Sequence, residues 1–299
     1  MDEKTRGWIN GFIGMTIFAG SLPATRLAVG GFDPVFLTAA RGGLAGLCAL
    51  ALLALFRQKK PQRSEIGPLV VVALGVVVGF PLLTALALQY VSSAHSLVFI
   101  GLLPLSTAIF AVWRAGERPQ PAFWLFSGLG SALVVGFAFS QGVSITPAGD
   151  LLMLGAIIVC GLGYAEGARL SRRLGGWQVV CWALALSLPL MLALALLSWP
   201  ASFGAIAPPA WAGLVYVTLF SMLIGFFFWY RGLAQGGIAA VGQLQLLQPF
   251  FGLLLAAWLL GETVTAAMLA TSAGVVVCVF AARRFAGRGP AGQRANASS

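Results

Sequence analysis

The 299-residue chain is 59% hydrophobic and only 9% charged, with a mean hydropathy of +0.93 and a formal net charge of +10; a soluble domain carries roughly 25% charged residues. That is too little charge to coat a water-soluble surface, so the positive surplus reports where Lys and Arg stand relative to a bilayer rather than a nucleic-acid footprint. No nucleophile with a base, metal cluster or phosphate loop is evident and His95 is the single histidine, so the sequence implies no enzyme, no cofactor and no metal.

The N-terminal MDEKTRGW leads into a Gly-rich apolar stretch without an obvious cleavage site, which reads as a retained first helix. Segments of the ~20 residues needed to cross a bilayer then fall at 8–29, 34–56, 67–90, 93–113, 120–140, 148–170, 176–198, 209–231, 238–259 and 264–283. The fold class expected is therefore an all-α integral membrane protein of ten transmembrane helices. Helices three and four are parted only by Val91, Ser92 and Ser93, which fits a tight hairpin better than one overlong helix. Residues 285–299 have the composition of a disordered tail. Cys48, Cys160, Cys181 and Cys278 lie in apolar runs without paired spacing and read as reduced packing residues.

The chain repeats itself. Pro104 and Pro249, Trp113 and Trp258, Gly116 and Gly261, and Glu117 and Glu262 are each separated by 145 positions, as 249 minus 104 shows. Residues 1–143 and 144–284 are then two five-helix repeats, and an odd number of helices inserts the second upside down relative to the first. Two inverted halves meet around a central cavity, and rocking one against the other gives alternating access. Lys4, Arg6, Arg57, Lys59, Lys60, Arg63, Arg114, Arg118, Arg169, Arg172, Arg173, Arg231, Arg283 and Arg284 all fall on one side, which the positive-inside rule makes the cytoplasm, with both termini inside. Asp33, Asp150 and Glu262 mark the other side.

Over nearly its whole length the chain resembles the EamA-type transporters of the drug/metabolite transporter superfamily. The run GFFFWYRGLAQGGIAAVGQLQLLQPFFGLLLAAWLLGETVTAAMLATSAGVVV (225–277) carries the resemblance, with a weaker copy in ALQYVSSAHSLVFIGLLPLSTAIFAVWRAGERPQPAFWLFSGLG. Helix one departs from the usual pattern, with Phe18-Ala19-Gly20-Ser21 where Trp-Gly-Ser is common. The resemblance implies a ten-helix carrier of small metabolites in the bacterial inner (plasma) membrane, and at protein level it extends to exporters of aromatic amino acids.

The Gly-Glu pairs read as scaffold: Gly ends one helix in a left-handed cap and Glu sits near the N-terminus of the next. Pro104 and Pro249 each remove a donor in mid-helix, where a kink can be a hinge or merely tolerated. Gln243, Gln245 and Gln248 approach the midplane in helix nine, and Gln245 and Gln248 share a face. They bind substrate or bond between helices. His95 is a polar cap or a cavity-mouth residue. Glu166 pairs with Arg169, or it couples transport to protons. Tyr164 and Phe227 supply aromatic surface, and Ser21, Phe99 and Leu103 complete the expected substrate-binding set. The pocket is expected between helices one, three and four and their mates six, eight and nine.

An aromatic, amide-bearing, nearly uncharged cavity suits a neutral, foremost aromatic, amino acid, exported as a small-molecule substrate by a protein that meets lipid, not nucleic acid, and that can act as a monomer. A multidrug or organic-cation efflux carrier, a sugar or nucleotide-sugar carrier, and a membrane structural or assembly subunit are the alternatives.

Overall fold

The computed structural model describes residues 1–87, 89–91, 96, 99–140, 146–260 and 265–287. Its helical segments are α1 (Glu3–Val29), α2 (Pro34–Leu55), α3 (Arg63–Ala87), α4 (Leu103–Ala115), α5 (Pro121–Ser140), α6 (Pro147–Leu174), α7 (Gly176–Leu197), α8 (Pro208–Gly236), α9 (238–260) and α10 (Ala266–Phe285). Among the described residues eight of these, all but α4 and α9, are long and apolar enough to cross a membrane. Ser92, Ser93 and His95, Gly261 and Glu262, and the tail beyond Gly287 lie outside the described residues.

Local chemistry sets the boundaries. Pro34, Pro147 and Pro208 open their helices, where a missing N–H costs nothing. Asp33 caps α2 by accepting the N–H groups of Val35 and Phe36 at 2.8 and 3.1 Å. Gly116 ends α4 at φ 66°, the left-handed cap expected of it.

α1 packs along α8, and α3 packs along α6; α2 pairs with α7 and α5 with α10. Exchanging the halves, one with six and three with eight, converts the first pair into the second and leaves the others unchanged. Glycines allow the closest of these approaches. A Cβ on Gly232 of α8 would meet the backbone nitrogen of Gly11 at 2.5 Å, and one on Gly14 that of Trp229 at 2.9 Å. Leu125, Leu151, Leu196 and Val277 face outward with at least 66% of their surface exposed. Such a surface suits hydrocarbon rather than water.

Several segments leave regular α geometry, and two of them stand at corresponding places in the two halves. α3 and α8 each contain a π-helical stretch, Ala73–Gly79 and Val217–Ile224, whose starts are 144 positions apart (217 minus 73). α1 is interrupted at Gly20, whose N–H bonds back to the Ile17 carbonyl at 3.3 Å. α9 passes through a 3-10 turn at Gln243–Leu247. Only one of the two prolines lies in mid-helix as the sequence suggested. Pro104 is in the first turn of α4, whereas Pro249 lies midway along α9, one residue past the end of the 3-10 turn. A ring that clashes with the carbonyl four residues back favours restarting the helix over bending it.

Candidate functional site

These irregular stretches surround an internal cavity of about 90 Å3. Phe18, Ser21 and Thr25 line it from α1, Leu37, Thr38 and Arg41 from α2, and Val76, Phe80 and Thr84 from α3. Leu103, Cys160, Tyr164, Ser221, Phe226 and Gln248 close it from α4, α6, α8 and α9. Each π-helical stretch thus contributes one lining residue, Val76 and Ser221. Backbone departs from α geometry at membrane depth only where protein or a cavity can meet the freed groups.

Polar contacts cross the cavity between halves. The Ser21 and Ser221 hydroxyls hydrogen-bond at 2.8 Å, and the Gln248 amide donates to the Phe18 carbonyl at 3.4 Å. Tyr164 is buried, with its ring 6.0 Å from that of Phe226 and 5.6 Å from that of Trp229. Its hydroxyl neighbours Cys160, Gln245 and Tyr230.

Of the residues expected to bind substrate, the structure brings Ser21, Leu103, Tyr164 and Gln248 together around this cavity. Gln245 is fully buried behind them, and neither of its amide atoms has a hydrogen-bond partner among the described residues. Phe99 packs partly buried against the apolar core. Phe227 faces elsewhere, into a cleft of about 1640 Å3 at the end of the bundle that carries Arg172, Arg231 and Arg283. It lies one residue from Phe226 on a helix, so the two rings point about 100° apart. His95 lies outside the described residues.

The expected lining omitted α2, which supplies Leu37, Thr38 and Arg41. Thr25, Thr84 and Ser221 were missed as well. The available signal was helical spacing: Ser21 and Thr25 are four residues apart, and Thr38 and Arg41 three, each pair on one face of an apolar helix.

Carboxylates cluster at the basic end. Glu166 is fully buried between Arg169 and Arg114, whose Nε donates to it at 2.9 Å. Glu117 accepts from Arg172 at 3.1 Å and from the backbone N–H groups of Ile238 and Ala239 at 2.8 and 2.9 Å. It therefore caps α9, over a hundred positions away, rather than α5, the next helix, as the sequence suggested. Gly116 turns the chain back toward α9, whose start at Gly237 has no side-chain cap of its own. Glu65 completes the cluster with Arg173 at 3.5 Å. Arginine–glutamate pairs thus tie α3 and α4 to α6, and Glu117 extends the cluster to α9.

A two-copy match decides the family: the model of the EamA-like transporter family fits residues 5–139 and again 147–283. The chain belongs to the EamA-like transporter family. This EamA-like chain is 65% identical over 286 residues to the uncharacterized transporter YdeK of Bacillus subtilis (strain 168), covering 96% of this chain and all of that one. It is 24% identical to the uncharacterized transporter YyaM of the same organism, over 75% of this chain and 77% of that one. A crystal structure of a protein 21% identical in sequence shares the fold, with a TM-score of 0.79 over 95% of this chain and 98% of that one. An EamA-like transporter with this many apolar helices is a multi-pass membrane protein.

Proposed function

We propose that this chain is an alternating-access carrier that exports small neutral amino acids, foremost aromatic ones, across the bacterial plasma membrane with both termini in the cytoplasm. In this reading residues 1–143 and 144–284 are inverted five-helix repeats, and α4 and α9 complete a set of ten spans. The observation that carries the reading is the cavity between the halves, where Phe18, Phe80, Phe226 and Tyr164 offer ring surface beside the hydroxyls of Ser21, Thr25, Thr38 and Ser221 and the amide of Gln248. Aromatic rings stack on an aromatic side chain, while hydroxyls and an amide can bond its polar end.

At 90 Å3 the cavity is well below the roughly 300–1,000 Å3 of ordinary ligand pockets. Substrate therefore enters only when the halves part, which agrees with a rocking mechanism. An organic-cation carrier is the weaker reading: among the described lining residues no carboxylate faces the cavity, and Glu166 is held by two arginines.

Uptake of radiolabelled phenylalanine and tryptophan into proteoliposomes, with an organic cation and a nucleotide sugar as controls, tests the proposal. Saturable movement of the amino acids that Tyr164→Ala reduces is expected. Movement of either control but no amino acid would transfer the assignment to that rival class.

A further inference from the structure

Arg41 is the one charged residue among those described as lining the central cavity. It stands seven residues into α2, about 10 Å along the helix from Pro34. It makes no ion pair or hydrogen bond among the described residues, and its Nε is buried without a partner. The arginines at the basic end of the bundle are treated differently: Arg114, Arg169 and Arg172 are partly exposed and each meets a buried glutamate. A second orphan lines the same space, the buried Thr84 hydroxyl, which also has no partner among the described residues.

An unpaired guanidinium inside a membrane protein is costly, and such groups mark the path of an ion or substrate. A guanidinium presents a planar fork of donors that matches a carboxylate. Only one cation faces the cavity, which suits a single negative charge better than a doubly charged phosphate. With no acidic residue among the described lining, nothing there offers an ammonium group an opposite charge.

We propose that Arg41 anchors the substrate's carboxylate, with the Thr84 hydroxyl beside it, and that the carboxylate rather than the amine is what this cavity selects. This rests on the carrier reading given above and adds a consequence to it. Aromatic carboxylic acids lacking an amino group are ligands, and aromatic amines lacking a carboxylate are not.

The test is ligand binding to the purified, full-length protein in lipid nanodiscs, read both as a shift in thermal unfolding and as equilibrium affinity. The probes are phenylalanine, 3-phenylpropanoate, phenylalaninamide and 2-phenylethylamine. Phenylalanine and 3-phenylpropanoate should stabilise the protein; the amide and the amine should bind at least tenfold more weakly. Arg41→Gln should cost the two carboxylates at least tenfold, and Arg41→Lys less. If Arg41→Gln does not fold, the four probes on the unaltered protein still decide. Equal binding of 2-phenylethylamine, binding of neither carboxylate, or an Arg41→Gln affinity within twofold of the unaltered protein would overturn the proposal. Binding of the carboxylates by a protein that moves no amino acid in proteoliposomes would remove the export reading and leave the anchor standing.

Discussion

Glu117 accepts the backbone N–H of Ile238 at 2.8 Å, joining the end of α4 to the start of α9. Its second oxygen takes the N–H of Ala239 at 2.9 Å, and Arg172 supplies the balancing charge from α6. One side chain thereby satisfies two helix-end donors that would otherwise be buried without partners. Glu117→Ala should lower stability by about 2–4 kcal/mol, because both donors lose their acceptor. Glu117→Gln, which keeps one acceptor, should lower it less. Thermal unfolding in detergent reads this directly, and an unchanged midpoint for the alanine variant would contradict the capping role.

Glu166 presents a different problem, a fully buried carboxylate between Arg114 and Arg169. Removing one partner of such a cluster leaves uncompensated positive charge, a loss of about 3–5 kcal/mol for fully buried pairs. The two arginine side chains are 35% and 42% exposed, so water absorbs part of that loss. Glu166→Gln should destabilise by about 1–3 kcal/mol on that account. If the residue also couples transport to protons, the variant should retain exchange of substrate across the bilayer while losing accumulation driven by a pH gradient. Full gradient-driven accumulation in the variant would leave Glu166 with a structural role alone.

Gln245 separates stability from transport. Its amide is buried beside the Tyr164 hydroxyl, yet neither polar atom reaches hydrogen-bond geometry with a described residue. An unsatisfied buried amide costs about 1–3 kcal/mol, so Gln245→Leu should leave the unfolding midpoint unchanged or raise it. If the amide meets substrate when the cavity opens, the same variant should transport less. Lower stability with unchanged transport would reverse both expectations.

The α1–α8 contact is a backbone contact, and substitutions there should be severe in proportion to size. Gly232→Ala places a methyl against the Gly11 nitrogen, whereas Gly128 has nothing within 4 Å of its would-be Cβ. Neither glycine has a positive φ, so the difference between the two variants isolates packing. Gly232→Ala should reduce stability by about 1–3 kcal/mol through overpacking. Gly128→Ala should be neutral or slightly stabilising, because alanine favours the helix by about 1 kcal/mol over glycine. Equal unfolding midpoints for the two would argue that the helices are free to separate.

The helix positions were legible in the sequence, because a bilayer forces the backbone to bond within each apolar segment and charges and prolines mark where a segment stops. Pro34, Pro147 and Pro208 begin helices at or within a residue of the expected points. The repeat was legible too, since Pro104 and Pro249 or Glu117 and Glu262 keep their spacing whatever the chain does in space. Part of the cavity lining was equally visible, as an amide such as Gln248 and a tyrosine such as Tyr164 in apolar helices have few places to go. What only the tertiary structure decided is which partners meet. Glu117 caps α9 rather than the adjacent α5, and Phe226 rather than Phe227 faces the cavity. Among the described residues Arg41 stays unpaired while Arg114 and Arg169 share one carboxylate. Periodicity fixes the face of a helix but not its rotation against its neighbours. That rotation follows from close packing of side chains across the bundle, set here by glycine contacts such as Gly11 against Gly232.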